Sequence, residues 1–240
     1  MNVLTISLIS SCNKSCYYCP IKKWLVPTDR KDINKLNNNA LFAWIDKYIN
    51  TDEWFIELTG GEPGLYLEIN ELINGLNARG YKGMIKTNGS LPIPKTTNFK
   101  ILSAWHKEQD FPLYYDEVII IKNPNDNWQD KVKYCEKNKI KFYTTLFDKQ
   151  FDGIKPEQVL CSYNKTINTC HINSRGCITK CSRYSVIPEN TIFNMVPPQL
   201  LNVVIKCPKC KNLNDVEMFL DDAMKNRFEN DVIKLREGYK

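Results

Sequence analysis

Short β-rich runs alternate with helix-patterned or polar connections through the first 147 residues, and this alternation restricts the fold more than any other feature of the chain. "VLTISLIS" (Val3 to Ser10) is the first run. It has neither a basic flank nor a small-residue cleavage site, so it reads as a strand and not as an export signal. "ALFAWIDKYI" follows, with Leu41, Trp44, Ile45, Tyr48 and Ile49 at the spacing of one helix face. "EWFIELT" is the second strand. The next helix has Ile69, Leu72, Ile73 and Leu76 as its stripe and Gly80 as its stop. "GMIKT", "KILSAW", "EVIIIK" and "IKFYTTLF" supply four further strands, and a helix carrying Trp128, Val132 and Cys135 precedes the last of them. Strands separated by helices predict parallel β-α units with right-handed crossovers. In barrels of such units the active site lies at the C-terminal strand ends.

Chemistry enters directly behind the first strand. Cys12, Cys16 and Cys19, in "SCNKSCYYCP", have the spacing C-x3-C-x2-C. Three thiolates so placed suit three irons of a 4Fe–4S cluster and leave the fourth iron for a substrate or cofactor. A structural zinc needs a fourth ligand close by. The only histidines, His106 and His171, and the next cysteine, Cys135, are all distant in sequence. Ten cysteines without an export signal point to metal or redox chemistry in a reducing cytoplasm instead of a disulfide framework.

Two more motifs also follow strands: "TGGEP" at Thr59 to Pro63 and "KTNGS" at Lys86 to Ser90. With "CNKSCYYC" they stand in the order found in the radical S-adenosylmethionine (radical SAM) superfamily, which the first 90 or so residues resemble. The strand pattern extends that resemblance to about residue 147. It implies a partial (β/α)6 TIM-like barrel over residues 1–147. It also implies a 4Fe–4S cluster on Cys12, Cys16 and Cys19 whose open iron is chelated by S-adenosyl-L-methionine. One electron then cleaves the cofactor to a 5′-deoxyadenosyl radical, which abstracts a substrate hydrogen, while the protein orients and shields the reaction.

By the same resemblance Gly60, Gly61 and Glu62 hydrogen-bond the methionyl amine, mainly through backbone groups. Adjacent glycines allow that close approach, although a Gly-Gly strand-end turn explains them locally. Thr87 and Asn88 are implied at the cofactor's carboxylate or ribose, where turn chemistry is the local alternative. Tyr18 is implied beside the adenine, and Ser103, Lys122 and Thr144 are weaker candidates on later strands. Trp105 and His106 follow strand four, facing the expected substrate side, and His106 is either an acid, base or anchor or an ordinary hydrogen-bonded histidine. Cys135, on a helical stripe, reads as a small buried hydrophobe.

Residues 148–240 form a cysteine-rich extension with Cys161, Cys170, Cys177, Cys181, Cys207 and Cys210. A helix signal follows at Val216, Phe219, Leu220, Ala223 and Met224, with Asn214 and Glu217 as its cap. "CPKC" (Cys207, Cys210) is half of a four-ligand site whose other half is Cys170 with Cys181, or Cys177 with Cys181. Cys161 is a spare. Cys170, Gly176 and Cys181 resemble the hairpin of the SPASM and twitch auxiliary-cluster modules, with a shorter Cys170–Gly176 interval. The second metal is expected to be an auxiliary iron–sulfur cluster or a zinc, which the same thiolates satisfy, and the alternative is no metal there. The extension is expected to pack against the open side of the barrel.

The remaining composition sets broad limits. A chain of 240 residues with 42% hydrophobic and 25% charged residues is a globular domain, or one with a small appendage. No apolar run approaches the roughly 18 residues of a membrane span. The net charge of +6 is scattered and reads as a solvated lysine-rich surface. No room before Val3 accommodates a separate winged-helix peptide-recognition domain. The substrate is expected to be a peptide or protein side chain. The alternatives are a nucleoside, nucleotide or nucleic-acid base, as in enzymes resembling 7-carboxy-7-deazaguanine synthase, another small molecule, a glycyl-radical partner enzyme, or no substrate at all in a non-catalytic iron–sulfur or zinc protein. The resemblance also implies an electron donor such as flavodoxin or ferredoxin.

Overall fold

The computed structural model describes residues 2–16, 19, 25, 28, 35–106, 110–122, 125–146, 169–176 and 178–179. In chain order the elements are β1 (Asn2–Ser7), α1 (Asn38–Tyr48), β2 (Trp54–Thr59), α2 (Ile69–Ala78), β3 (Gly83–Thr87), β4 (Phe99–Trp105), β5 (Glu117–Lys122), α3 (Trp128–Lys137), β6 (Phe142–Leu146), β7 (Thr169–Ile172) and β8 (Ile178–Thr179). A short 3-10 turn, Pro63–Leu65, lies between β2 and α2. The strands form one open sheet in the order β6-β5-β4-β3-β2-β1-β7-β8, parallel except for the antiparallel β7–β8 pair. This is the α/β architecture of a partial TIM-like barrel.

Strand alternation sorts the core into two faces. Leu4, Ile6, Ile56, Leu58, Ile85, Ile101, Cys170 and Ile172 meet Leu41, Trp44 and Ile45 of α1 and Leu72, Ile73 and Leu76 of α2 in one buried cluster. On the opposite face Phe55, Met84, Leu102 and Ile119 pack with Ala104 and Tyr143, a cluster drawn entirely from strands. The third helix seals the far end of the sheet, with Cys135 fully buried beside Val118 and Ile120. Local chemistry fixes the helix ends. The Asn37 side chain accepts from Ala40 N at 2.9 Å and caps α1. Gly80, at φ +78°, closes α2: Tyr81 N reaches back to Leu76 O at 3.1 Å in a Schellman arrangement.

Two features depart from a uniform series of strand–helix units. The β3–β4 connection, residues 88–98, contains no helix; Pro92 and Pro94 withhold the donors a helix needs, and the buried Ile93 fills the gap in the core. In addition, β7 belongs to the segment read as a separate extension, yet it pairs in parallel with β1, Leu4 opposite Cys170 and Thr5 opposite His171. The β1 edge of the sheet is thereby covered. Among the described residues no helix is long and apolar enough to cross a membrane.

Candidate active site

The ends of β1, β2 and β3 are adjacent in register, with Ser7 opposite Thr59 and Leu58 opposite Ile85. The three sequence motifs therefore emerge side by side. Beyond β1 the chain keeps pairing with the glycine turn: Leu8 N donates to Thr59 O (2.9 Å), Gly61 N to Ile9 O (2.8 Å) and Glu62 N to Ser11 O (2.8 Å). This close approach is what requires the glycines. Gly60 sits at φ +134°, and a Cβ on Gly61 would lie 1.8 Å from the Ser11 carbonyl oxygen.

Glu62 joins the second motif to the third. Its side chain is buried and turned inward, where Oε1 accepts from Thr87 Oγ1 (2.5 Å) and Gly64 N (2.9 Å) and Oε2 from Asn88 N (2.8 Å). Burial raises its pKa, and the hydrogen bonds from Asn88, Thr87 and Gly64 work against that rise. A buried carboxylate surrounded by three donors holds its position firmly. Thr87 in turn accepts from Gly89 N at 2.9 Å. Gly89 takes φ +69° against Pro112 and Ser103, whose Oγ donates to the Tyr114 carbonyl.

Asn88 joins the third motif to the first. Its Nδ2 donates to Asn13 Oδ1 (2.9 Å) and approaches Cys12 Sγ at 3.9 Å, while its Oδ1 accepts from Ser90 N (3.0 Å) and Ser90 Oγ (2.5 Å). Asn13 Nδ2 closes the ring by donating to Ser90 Oγ at 3.0 Å. The amide carries two donors and two lone pairs, and all four are engaged inside the protein.

Cys12, Cys16 and Cys19 are free thiols, Cys16 buried and the other two half-buried. Burial raises the Cys12 pKa, the Lys14 N–H at 3.4 Å lowers it, and the charges of Glu62 and Cys19 raise it further. A metal that binds here must displace the thiol proton. Cys19 N bonds to Cys16 O at 3.2 Å and tightens the loop. Among the described residues no three His, Cys, Asp or Glu side chains converge as ligands of a single metal ion do. A 4Fe–4S cluster makes a different demand, one thiolate for each of three irons. Three reduced thiols on one short loop, beside an amide donor, fit that demand.

The other sequence-derived residues disperse. Tyr18, Cys161, Cys177, Cys181, Cys207 and Cys210 lie outside the described residues, as do the C-terminal helix signal and its cap. Cys170 sits in the hydrophobic core on β7, its pKa pushed up to about 12 by burial. Trp105 corrects the expectation of a substrate-facing side chain: it packs edge-on against Phe111 and Tyr134, centroids 5.0 and 5.5 Å away. Alternation along β4 places it with Ser103 on the helix-covered side. His106 is pushed down to about 4 by burial, then by Lys131 and Lys14. Lys122 lies over the Trp128 ring at 5.3 Å, and Thr144 pairs with Ile120 across β5–β6.

The opposite sheet face carries polar contacts that the motifs did not reveal. Lys86 Nζ pairs with Glu57 Oε2 at 2.7 Å, and Ser7 Oγ meets His171 Nε2 at 2.9 Å. Period-two reading marks Ser7, Glu57 and Lys86 as facing away from the helices. The partnership of His171 with Ser7 depends on β7 returning to β1.

No protein-family model matches the chain, and no curated protein does. Solved structures do match. Streptococcus suis SuiB bound to precursor peptide SuiA superposes with a TM-score of 0.54 at 13% identity, over 83% of this chain and 65% of SuiB. Native anSMEcpe with bound AdoMet and Cp18Cys peptide gives 0.53 at 14% identity, over 80% of this chain and 77% of anSMEcpe. A histidine-tagged form of anSMEcpe with bound AdoMet gives 0.51 at 12% identity, over 80% of this chain and 78% of that one. The chain thus spans about two-thirds of SuiB's length. It shares the fold of these radical SAM enzymes.

Proposed function

We propose that this protein is a radical SAM enzyme that initiates chemistry on a peptide or protein side chain. One observation carries the reading: Glu62 and Asn88 bind "GGEP", "TNG" and the cysteine loop into one hydrogen-bonded unit at the C-terminal ends of β1, β2 and β3. Parallel barrels build their active sites at that end. The fold shared with SuiB and anSMEcpe, each captured with a peptide, supports both the chemistry and the substrate class.

Cys12, Cys16 and Cys19 hold the cluster, which when bound supplies the electron that cleaves S-adenosylmethionine to a hydrogen-abstracting radical. Gly60, Gly61 and Glu62 present backbone to the methionyl amine. Their N–H groups at Gly61 and Glu62 are taken by Ile9 and Ser11, and an amine, itself a donor, calls on carbonyls. The Glu62 carboxylate shapes the site from behind and Thr87 is fastened to it; by the family resemblance, Tyr18 is assigned to the adenine. Flavodoxin or ferredoxin delivers the electron. Cys181, Cys207 and Cys210 hold a second metal, an auxiliary iron–sulfur cluster or zinc. Cys177 serves better than Cys170 as the fourth ligand, because the Cys170 thiol is enclosed by apolar side chains. The module around that metal belongs to residues 148–240, with β7 set apart as a strand of the barrel sheet.

The test is anaerobic reconstitution with iron and sulfide, followed by dithionite and S-adenosylmethionine, with 5′-deoxyadenosine quantified against Cys16→Ala. Product from the native chain and none from the variant is expected. A loaded cluster that yields no product, even with a panel of peptides, overturns the catalytic reading. About 4 irons per chain leaves the second site to zinc or nothing, and about 8 indicates a second 4Fe–4S cluster.

A further inference from the structure

We infer that Asn88 is a positioning residue for the cluster: its side-chain amide holds the Cys12 thiolate and raises the cluster's reduction potential. The inference rests on the cluster assignment above and assigns the Asn88 side chain to the thiolate instead of to bound S-adenosylmethionine.

The orientation of the amide follows from its partners. Ser90 N, which can only donate, lies 3.0 Å from one end of the Asn88 side chain and so identifies that end as oxygen. The NH₂ group is left pointing at Asn13 Oδ1 and Cys12 Sγ. A ring of three bonds braces it. Ser90 Oγ donates to Asn88 Oδ1, Asn13 Nδ2 donates to Ser90 Oγ, and Asn88 Nδ2 donates to Asn13 Oδ1, so the donors run head to tail around a closed ring. Each bond in such a chain polarises the next. Below the ring, Asn88 N is fastened to the buried Glu62 carboxylate at 2.8 Å. The amide is therefore held from backbone and side chain alike, with one N–H aimed at sulfur.

The electrostatic consequence has a definite sign. Reducing a thiolate-ligated cluster adds negative charge, part of it on the ligating sulfurs. An N–H dipole directed at Sγ stabilises that charge and favours the reduced state, and hydrogen bonds to the sulfurs are among the terms that set a cluster's potential. Lys14 N, 3.4 Å from the same sulfur, acts in the same sense. Glu62 acts in the opposite sense, since its charge is felt at Cys12.

Dye-mediated redox titration of the reconstituted protein, followed by electron paramagnetic resonance of the reduced cluster, tests this. Asn88→Ala keeps the backbone bond to Glu62 and removes the amide. It is expected to load the same iron per chain and to titrate at a more negative potential than the native protein. Ser90→Ala retains Asn88 and removes two of the ring's three bonds, so a smaller shift of the same sign is expected. It also supplies the reading if Asn88→Ala fails to assemble a cluster. Unchanged potentials in the loaded variants, or shifts to more positive values, overturn the inference. Failure of the native chain to assemble any cluster sinks the functional proposal instead, so the two failures are distinct.

Discussion

At the scale of single residues, the two histidines are both held uncharged, and this gives the protein a defined acid response. His171 is buried against Ser7 and pushed down to about 4, as is His106. Between the folded value and the ordinary value near 6.5, the unfolded chain binds more protons than the folded one. Stability therefore falls as pH drops through this window, by at most about 1.4 kcal/mol per pH unit for each histidine. Urea unfolding of metal-free native protein and of His171→Gln, from pH 4 to 6.5, isolates the His171 contribution. The native slope is expected to exceed that of the variant. Equal slopes would mean that His171 titrates alike in both states.

At the scale of elements, the candidate-site end of the sheet is tied to the helical layer through Tyr66, just past the turn that follows Glu62. Its buried hydroxyl has one proton, which Asn38 Oδ1 (2.6 Å) at the start of α1 accepts at the shortest distance, with Leu36 O (3.0 Å) and Glu68 Oε2 (3.3 Å) also within reach. Removing it leaves the buried Asn38 amide short of a partner, which costs about 1–3 kcal/mol. A lowered urea midpoint with unchanged m-value is expected for Tyr66→Phe, and an unchanged midpoint would show that water replaces the hydroxyl. Farther along the same helix pair, Arg79 makes a two-pronged ion pair with Asp46 (2.6 and 3.0 Å) while lying over the Phe42 ring. Partial exposure leaves this pair a minor contributor beside the buried Trp44 and Leu72.

At the scale of the whole molecule, β1 is an interior strand, bonded to β2 on one side and β7 on the other. A chain ending at residue 147 would lose Cys170 and Ile172 from the core and expose the backbone of the strand that leads into the cysteine loop. Exposed hydrophobic strand edges are a route to aggregation. The truncated chain is expected to aggregate or to unfold with a broad, shallow urea transition. A sharp transition at the full-length midpoint would show that residues 148–240 add nothing to the core.

Local pattern alone determined a good deal of this protein. Period-two and helical spacing located the strands from β1 to β6 and the helices within a few residues, because side chains that face a core must recur with the period of their own backbone. The spacing of Cys12, Cys16 and Cys19, on which the proposed cluster site rests, is a purely local pattern and needs no tertiary structure to be read. What the sequence left hidden is what distance along the chain hides. Thr169–Ile172 reads as part of a tail, and only long-range pairing makes it a neighbour of β1 and turns Cys170 into a core residue. Likewise "GGEP" and "TNG" each pass for an ordinary turn. The bonds from Thr87 and Asn88 to Glu62 span 25 and 26 residues, and that from Asn88 to Asn13 spans 75. Such contacts exist only once parallel crossovers have set three strand ends side by side. The residue types carry the chemistry, and tertiary packing decides which of them meet.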